Sequence, residues 1–417
     1  MKRILTSLVL AAGVLKGSPD FFEMSPIEYS KTASADEMTL FASEISAGKW
    51  NVASGGGKEF LRAVLKRLDV PEESQVLVFS KTSLQNSLIN QGNPRAIYFS
   101  PDAYVGWVPG GKVEVIVEDE KLGPIFYVLS PPVGDMAPVI TRHTDTCLQC
   151  HANSRTEGVP GLLIRSVNPD ENSHPLLSHG TTLVDYRTPV EKRWGGWYVS
   201  GASDDQHLGN QSTTSGNELE AKQTDLEDLS KTINTDRYLV PTSDIVSLMV
   251  LEHQCRMHNL FTKAKMNFLR SAWFQRAMQE RLSSDDESGM AWKSANQLAD
   301  EIVEGLLFKD EVELAGDGVT GGGAFAEAFV AAGVKTESEK SLRDFRLYAR
   351  MFKYRCSYMI YSKAFRGLPP LVKERVLVKL REALSAKGVG KFDYLSSREK
   401  KSILSILEET LPEFSAK

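Results

Sequence analysis

Residues 147 to 151 read Cys147-Leu148-Gln149-Cys150-His151 in a chain that holds only four cysteines. Two thiols three positions apart can each add to one vinyl group of a haem, giving two thioether bonds. The adjoining histidine then reaches the iron as proximal ligand. The spacing therefore predicts one covalent haem c, anchored on Cys147 and Cys150 with His151 on the iron. A haem is itself a large apolar surface, so the fold around the motif has to give it an apolar cover. Two rival readings fit less well. A thioredoxin-like C-x-x-C would open a helix after a buried parallel strand and leave the histidine idle. A structural zinc needs four ligands, and the next cysteine, Cys255, lies far along the chain. Cys255 and Cys356 are left as buried thiols or as one disulfide.

Haem c is attached after export, so an export signal is expected, and the first residues supply one. Lys2 and Arg3 form a basic start, residues 4–15 are apolar but for Thr6, Ser7 and Gly13, and Lys16-Gly17-Ser18 end the stretch. It is shorter than the roughly 20 residues a membrane-crossing helix needs. Residues 1–17 thus read as a signal peptide. The mature chain is expected to be soluble and periplasmic, with no stable membrane span. Of 417 residues, 41% are hydrophobic and 25% charged, enough for a substantial core and more than one domain. A net charge of -5 is mild and argues against a nucleic-acid partner.

The hydrophobic period changes along the chain. Helices are expected at 33–49 and 58–68, where Phe60, Leu61, Val64, Leu65 and Leu68 recur at helical spacing. Short apolar runs at 76–79, 96–99, 113–117 and 125–129, divided by Gly, Pro and Asn clusters, predict a meander of four or five antiparallel strands. The haem motif follows directly. Trp194 to Val199 is a dense aromatic, strand-like piece, and residues 209–240 turn polar, which predicts a linker. Beyond Pro241 the pattern is helical, with Asp244 in an N-cap position and helices expected at 245–282, 292–308, 324–332, 342–365, 371–386 and 397–411. The expectation is an α+β fold: N-terminal helices and an antiparallel meander carrying the haem (18–208), a polar linker (209–240) and an all-helical C-terminal domain (241–417). Gly316-x-Gly318-x-x-Gly321 matches a dinucleotide fingerprint but lacks a βαβ frame, so it reads as a flexible glycine loop.

The second axial position of the iron separates the possible functions. A small soluble cytochrome c would place a methionine some tens of residues after the motif. Here the first methionine after His151 is Met249, beyond the polar stretch. His253 lies on an apolar helix stripe with Met249, Met257 and Leu260, where a histidine is ordinarily core but where a haem would also find cover. His207, after the aromatic segment, is the alternative distal candidate. His143 precedes the motif by only four residues and is set aside as poorly placed, while His174 and His179 read as surface residues.

Several segments together resemble a family of exported, single-haem, cytochrome c-domain-containing proteins. They are Tyr104-Val105-Gly106-Trp107-Val108-Pro109-Gly110-Gly111, the motif with Thr156-Glu157-Gly158-Val159-Pro160-Gly161, and Arg193-Trp194-Gly195-Gly196-Trp197-Tyr198-Val199. His207-Leu208-Gly209-Asn210, 244–259 and 342–370 add to them. The resemblance implies haem c and electron transfer, and it draws attention to His207, His253 and His258. The leading expectation is a periplasmic mono-haem electron-transfer protein working with a redox partner protein. The alternatives are a haem-based redox or ligand sensor and a peroxidase-like enzyme with an open distal site.

Overall fold

The computed structural model describes residues 20–50, 57–134, 136–214, 216–278, 287–385 and 390–415; the expected signal peptide lies outside them. Two helices come first, α1 (Glu37–Ser46) and α2 (Lys58–Arg67). The Asp36 carboxylate caps α1 by accepting from the Met38 and Thr39 amides at 2.9 Å. In α2 the predicted stripe is the buried face: Phe60, Leu61, Val64 and Leu65 are all enclosed.

Six strands follow: β1 (Val76–Val78), β2 (Arg95–Ser100), β3 (Ala103–Trp107), β4 (Val113–Asp119), β5 (Gly123–Ser130) and β6 (Val139–Arg142). Each pairs antiparallel with the next. A short helix, α3 (Leu148–His151), carries the cysteine motif, and a small hairpin, β7 (Arg165–Ser166) with β8 (Thr182–Leu183), comes after it. Strand β9 (Trp197–Tyr198) then returns to pair with β1, giving a seven-stranded sheet of order β6-β5-β4-β3-β2-β1-β9. The sheet is wider than the sequence expectation. β3, interrupted by Gly106, and β6, half polar, lack the continuous apolar runs that mark strands. The pairing of β9 with β1 is long-range and has no local signature.

Past β10 (Ala202–Ser203), the 33-residue helix α4 (Ile245–Ala277) is capped by Asp244, which accepts from the Val246 and Ser247 amides at 2.8 and 3.0 Å. Then come α5 (Met290–Leu306), β11 (Val319–Thr320), α6 (Gly323–Ala331), β12 (Phe345–Tyr348), β13 (Arg350–Phe352), α7 (Lys363–Arg366), α8 (Pro370–Ser385) and α9 (Ser397–Thr410). The C-terminal part is therefore not all-helical. Residues 342–365, expected as one helix, instead hold the β12–β13 hairpin, a 3-10 turn and α7. Leu347 and Ala349 adopt left-handed backbone (φ 60° and 58°), which no α-helix accommodates. Phe345 and Phe352 stack at 5.4 Å, and Phe345 also meets Phe329 of α6 at 5.2 Å. Aromatic packing across the hairpin overrides the helical period. The glycine loop before α6 leads into β11, which pairs antiparallel with β10 rather than forming a βαβ unit.

The sheet divides two apolar cores. One face, with Tyr98, Val105, Val115, Ile125 and Leu129, packs with Phe41, Phe60 and Val64 of α1 and α2. On the other face Val76, Val78, Phe99 and Tyr104 join α4, α5, α8 and α9 in a core that runs to Phe414. The polar stretch 209–240 contains no α-helix among its described residues. It is nevertheless anchored by buried Leu229, Ile233 and Tyr238, and the Tyr238 hydroxyl donates to the Pro94 carbonyl at 2.9 Å. No helix among the described residues is long and apolar enough to cross a membrane.

Candidate functional site

On the α4 side of the sheet, cross-strand rows can be read from the register. Tyr104, Ile116 and Phe126 form one row; Gly106, Glu114, Val128 and Thr141 form the next. Helix α4 lies over the first: Gln254 donates to the Tyr104 hydroxyl at 2.8 Å, and the His258 ring meets the Tyr104 ring at 5.6 Å. The second row borders the cysteine motif.

Helix α3 is one turn long, and residues 147, 150 and 151 fall at i, i+3 and i+4, sharing one helix face. Leu148, next to His151 round the turn, is buried and pins the turn to the core around Phe126. Cys147 is half-buried, Cys150 is exposed, and both are free thiols. Burial, reinforced by the negative charge of Glu114, pushes the Cys147 thiol up to about 11, so it stays protonated at neutral pH.

The chain then turns back under His151. Asn153 and Thr156 form a reciprocal cap, and Glu157 (φ 59°) and Gly158 (φ 78°) reverse the direction. This brings Gly161 beneath the histidine: its amide donates to the His151 carbonyl at 2.7 Å, and its carbonyl accepts from His151 Nδ1 at 2.9 Å. A carbonyl only accepts, so the proton sits on Nδ1 and Nε2 keeps its lone pair. That is the tautomer a metal-binding imidazole needs. Burial holds the His151 pKa below the ordinary histidine value, favouring the neutral ring. The Phe126 ring lies 5.0 Å from it.

The turn is fixed from outside by α4. The Asn259 amide donates to the Leu162 carbonyl at 2.7 Å and accepts from the Leu162 amide at 2.8 Å. A Cβ at Gly161 would come within 2.5 Å of Asn259 Oδ1, so glycine is needed for this close approach.

Two clefts flank the motif. A groove of about 460 Å³ opens over the second row, lined by Leu84, Leu88, Gly110, Val128, Pro131 and His143 and, on its polar side, by Gln85, Lys112 and Glu114. Glu114 is ion-paired with Arg95, whose guanidinium lies across Gly106. Beyond the groove Val133, Met136 and Val139 are exposed apolar residues. The second cleft, about 520 Å³, lies between the post-motif turn and α4 and carries Arg155, Glu157, Asp185, Arg187, Arg256 and Asp310. Covering those charges with a porphyrin would desolvate them at high cost, so the apolar groove is the better cradle.

The other histidines singled out in the sequence lie elsewhere. His253 stacks on Phe308 at 4.1 Å, meets Tyr186 at 5.4 Å and bonds Ser357 Oγ through Nε2 at 2.6 Å. His207 packs against Trp194 at 5.0 Å and accepts from the Gly209 amide through Nδ1 at 3.0 Å. Neither shares a neighbour with His151. The helical stripe that drew attention to His253 is a core stripe, and Met249 and Met257 are buried in it. His258 is buried too, donating through Nε2 to the Pro101 carbonyl at 2.9 Å beside Glu118. Cys255 and Cys356 are separate buried thiols. His143 instead lines the groove beside the motif. Its closeness in sequence obscured this, because the bend at Thr144 and Asp145 between strand and helix is invisible to spacing.

Among the described residues no group of three or more His, Cys, Asp or Glu side chains is arranged to hold a bare metal ion. A haem iron asks less of a protein, since the porphyrin supplies four nitrogens and the chain supplies only axial ligands. Two unpaired thiols on one helical turn, a histidine with Nε2 left free and an adjoining apolar groove fit that group. No family model, curated protein or solved structure matches the chain.

Proposed function

We propose that this chain is an exported mono-haem c-type cytochrome, with thioethers at Cys147 and Cys150, His151 as proximal ligand and electron transfer to a partner protein as its work. The observation that carries the reading is the 2.9 Å bond from His151 Nδ1 to the Gly161 carbonyl, which commits one ring nitrogen and leaves the other for iron. When bound, the haem supplies a one-electron couple whose potential the protein tunes. The chain's part is to hold that couple still. Asn259 fixes the turn that carries the Gly161 carbonyl, Leu148 pins the helix, and Phe126 covers the His151 ring. Such rigidity suits a group that changes charge without changing partners. The sequence resemblance to exported single-haem proteins supports the same reading, as does the basic and apolar start of the chain.

The test is direct. Expressed with a haem c maturation system, the chain should keep a haem stain through denaturing electrophoresis, and Cys147→Ser with Cys150→Ser should lose it. A wild-type chain that carries no stain would end the proposal. Reversible one-electron reduction without turnover of peroxide is expected; peroxide turnover or gas-linked signalling would favour the enzyme or sensor alternatives.

A further inference from the structure

We propose that His143 is the second axial ligand of the haem iron, so that the centre is bis-histidine and six-coordinate. The inference rests on the haem reading above and adds the residue that sets its coordination. His143 follows the last residue of β6, and its amide donates to the Phe126 carbonyl at 2.8 Å. The register pairs Tyr127 with Arg142, so Phe126 and His143 face each other across the ladder and share one side of the sheet. Phe126 is the same residue whose ring lies against His151. His143 lines the groove with Glu114 and Val128, and the charge of Glu114 acts on both Cys147 and His151. The two histidines therefore reach one site from different elements, a strand end and a helical turn.

Besides the groove, the His143 side chain lies near the Asp145 carboxylate. Half-buried, its imidazole makes no hydrogen bond to any described residue. The remaining five histidines are engaged away from the motif. His174 bonds Lys81, His179 the Gly216 carbonyl, His207 the Gly209 amide, His253 Ser357 and His258 the Pro101 carbonyl. A half-buried imidazole with no hydrogen-bonded partner, at the rim of an apolar groove, keeps a nitrogen lone pair available to an iron held on His151.

The experiment compares spectra of the full-length holoprotein. Wild type should be low-spin in both oxidation states and should not bind CO. His143→Ala should turn high-spin and bind CO stoichiometrically, and added imidazole should restore the low-spin form, a rescue that a structural role would not give. If His143→Ala does not accumulate with haem, His143→Met replaces it and should stay six-coordinate with a raised potential. An unchanged spectrum in His143→Ala, an unchanged potential in His143→Met, or a high-spin wild type overturns the ligand assignment. So does loss of the low-spin form in Met136→Leu alone. Each of these leaves the haem itself in place, whereas absence of covalent haem in wild type removes the parent reading.

Discussion

At the scale of single residues, the site depends on a chain of four: His151 bonds the Gly161 carbonyl, and Asn259 clamps Leu162 next to it. Leu162 and Asn259 are 4% and 8% exposed, so water cannot easily replace the clamp. Asn259→Ala leaves the Leu162 amide and carbonyl without partners, at about 1–3 kcal/mol each. The expected loss is roughly 2–4 kcal/mol in urea unfolding, with Asn259→Asp in between because a carboxylate still accepts from the amide but faces the carbonyl unfavourably. A loss below about 1 kcal/mol would mean the turn holds itself. The pentapeptide stands out from spacing alone, because its two cysteines and histidine fall together on one helical turn. Asn259 does not, since it acts across 97 positions and an asparagine on a helix carries no local sign of its partner. His253 misled for a related reason. A helical stripe tells that a side chain is covered, and it does not tell whether haem or Phe308 covers it.

Among the elements, the long helices were readable because a sustained apolar period and a cap agree. The expected 245–282 corresponds to α4, with Asp244 capping it as anticipated. The expected helix at 342–365 failed where aromatic residues satisfy a helical and a strand pattern equally well, and only packing on Phe329 decides between them. The sign of one substitution separates the two conformations. In a helix interior Ala349→Gly would cost about 1 kcal/mol through backbone entropy. In the hairpin Ala349 sits at φ 58°, where a Cβ is itself the penalty, so glycine should stabilise by up to about 1 kcal/mol. Thermal unfolding of the full chain reads the direction, and a lower midpoint for the glycine variant would contradict the hairpin.

Over the whole molecule, the sheet and the helices behind it are joined by a buried charge pair rather than by apolar contact alone. Arg193, just before β9, donates to Glu252 of α4 at 2.9 Å, and Trp194 Nε1 donates to the other carboxylate oxygen at 2.5 Å. Both partners of the pair are almost fully enclosed. Burial nevertheless wins over the arginine and pushes the Glu252 carboxyl up to about 7. A carboxyl whose pKa is higher folded than unfolded favours the fold at low pH. Its contribution is lost as pH rises from the unfolded value, about 4.5, towards 7. Arg193→Met removes the partner that opposes burial, so the folded pKa should climb further and the deficit against wild type should widen across that window. His253 and His207, held down to about 3 and about 4 by burial, destabilise the fold as pH falls below the ordinary histidine range. They do so in both proteins and cancel in the difference. Urea unfolding should therefore show Arg193→Met weaker by about 3–5 kcal/mol at pH 8, the cost of leaving a buried charge unpaired, and by clearly less at pH 5. Adding Glu252→Gln removes the stranded charge while keeping an acceptor for Trp194, and should recover most of the loss at pH 8. A deficit of equal size at both pH values would show that Arg193 acts through its bonds to the Tyr186 and Thr188 carbonyls instead of through Glu252.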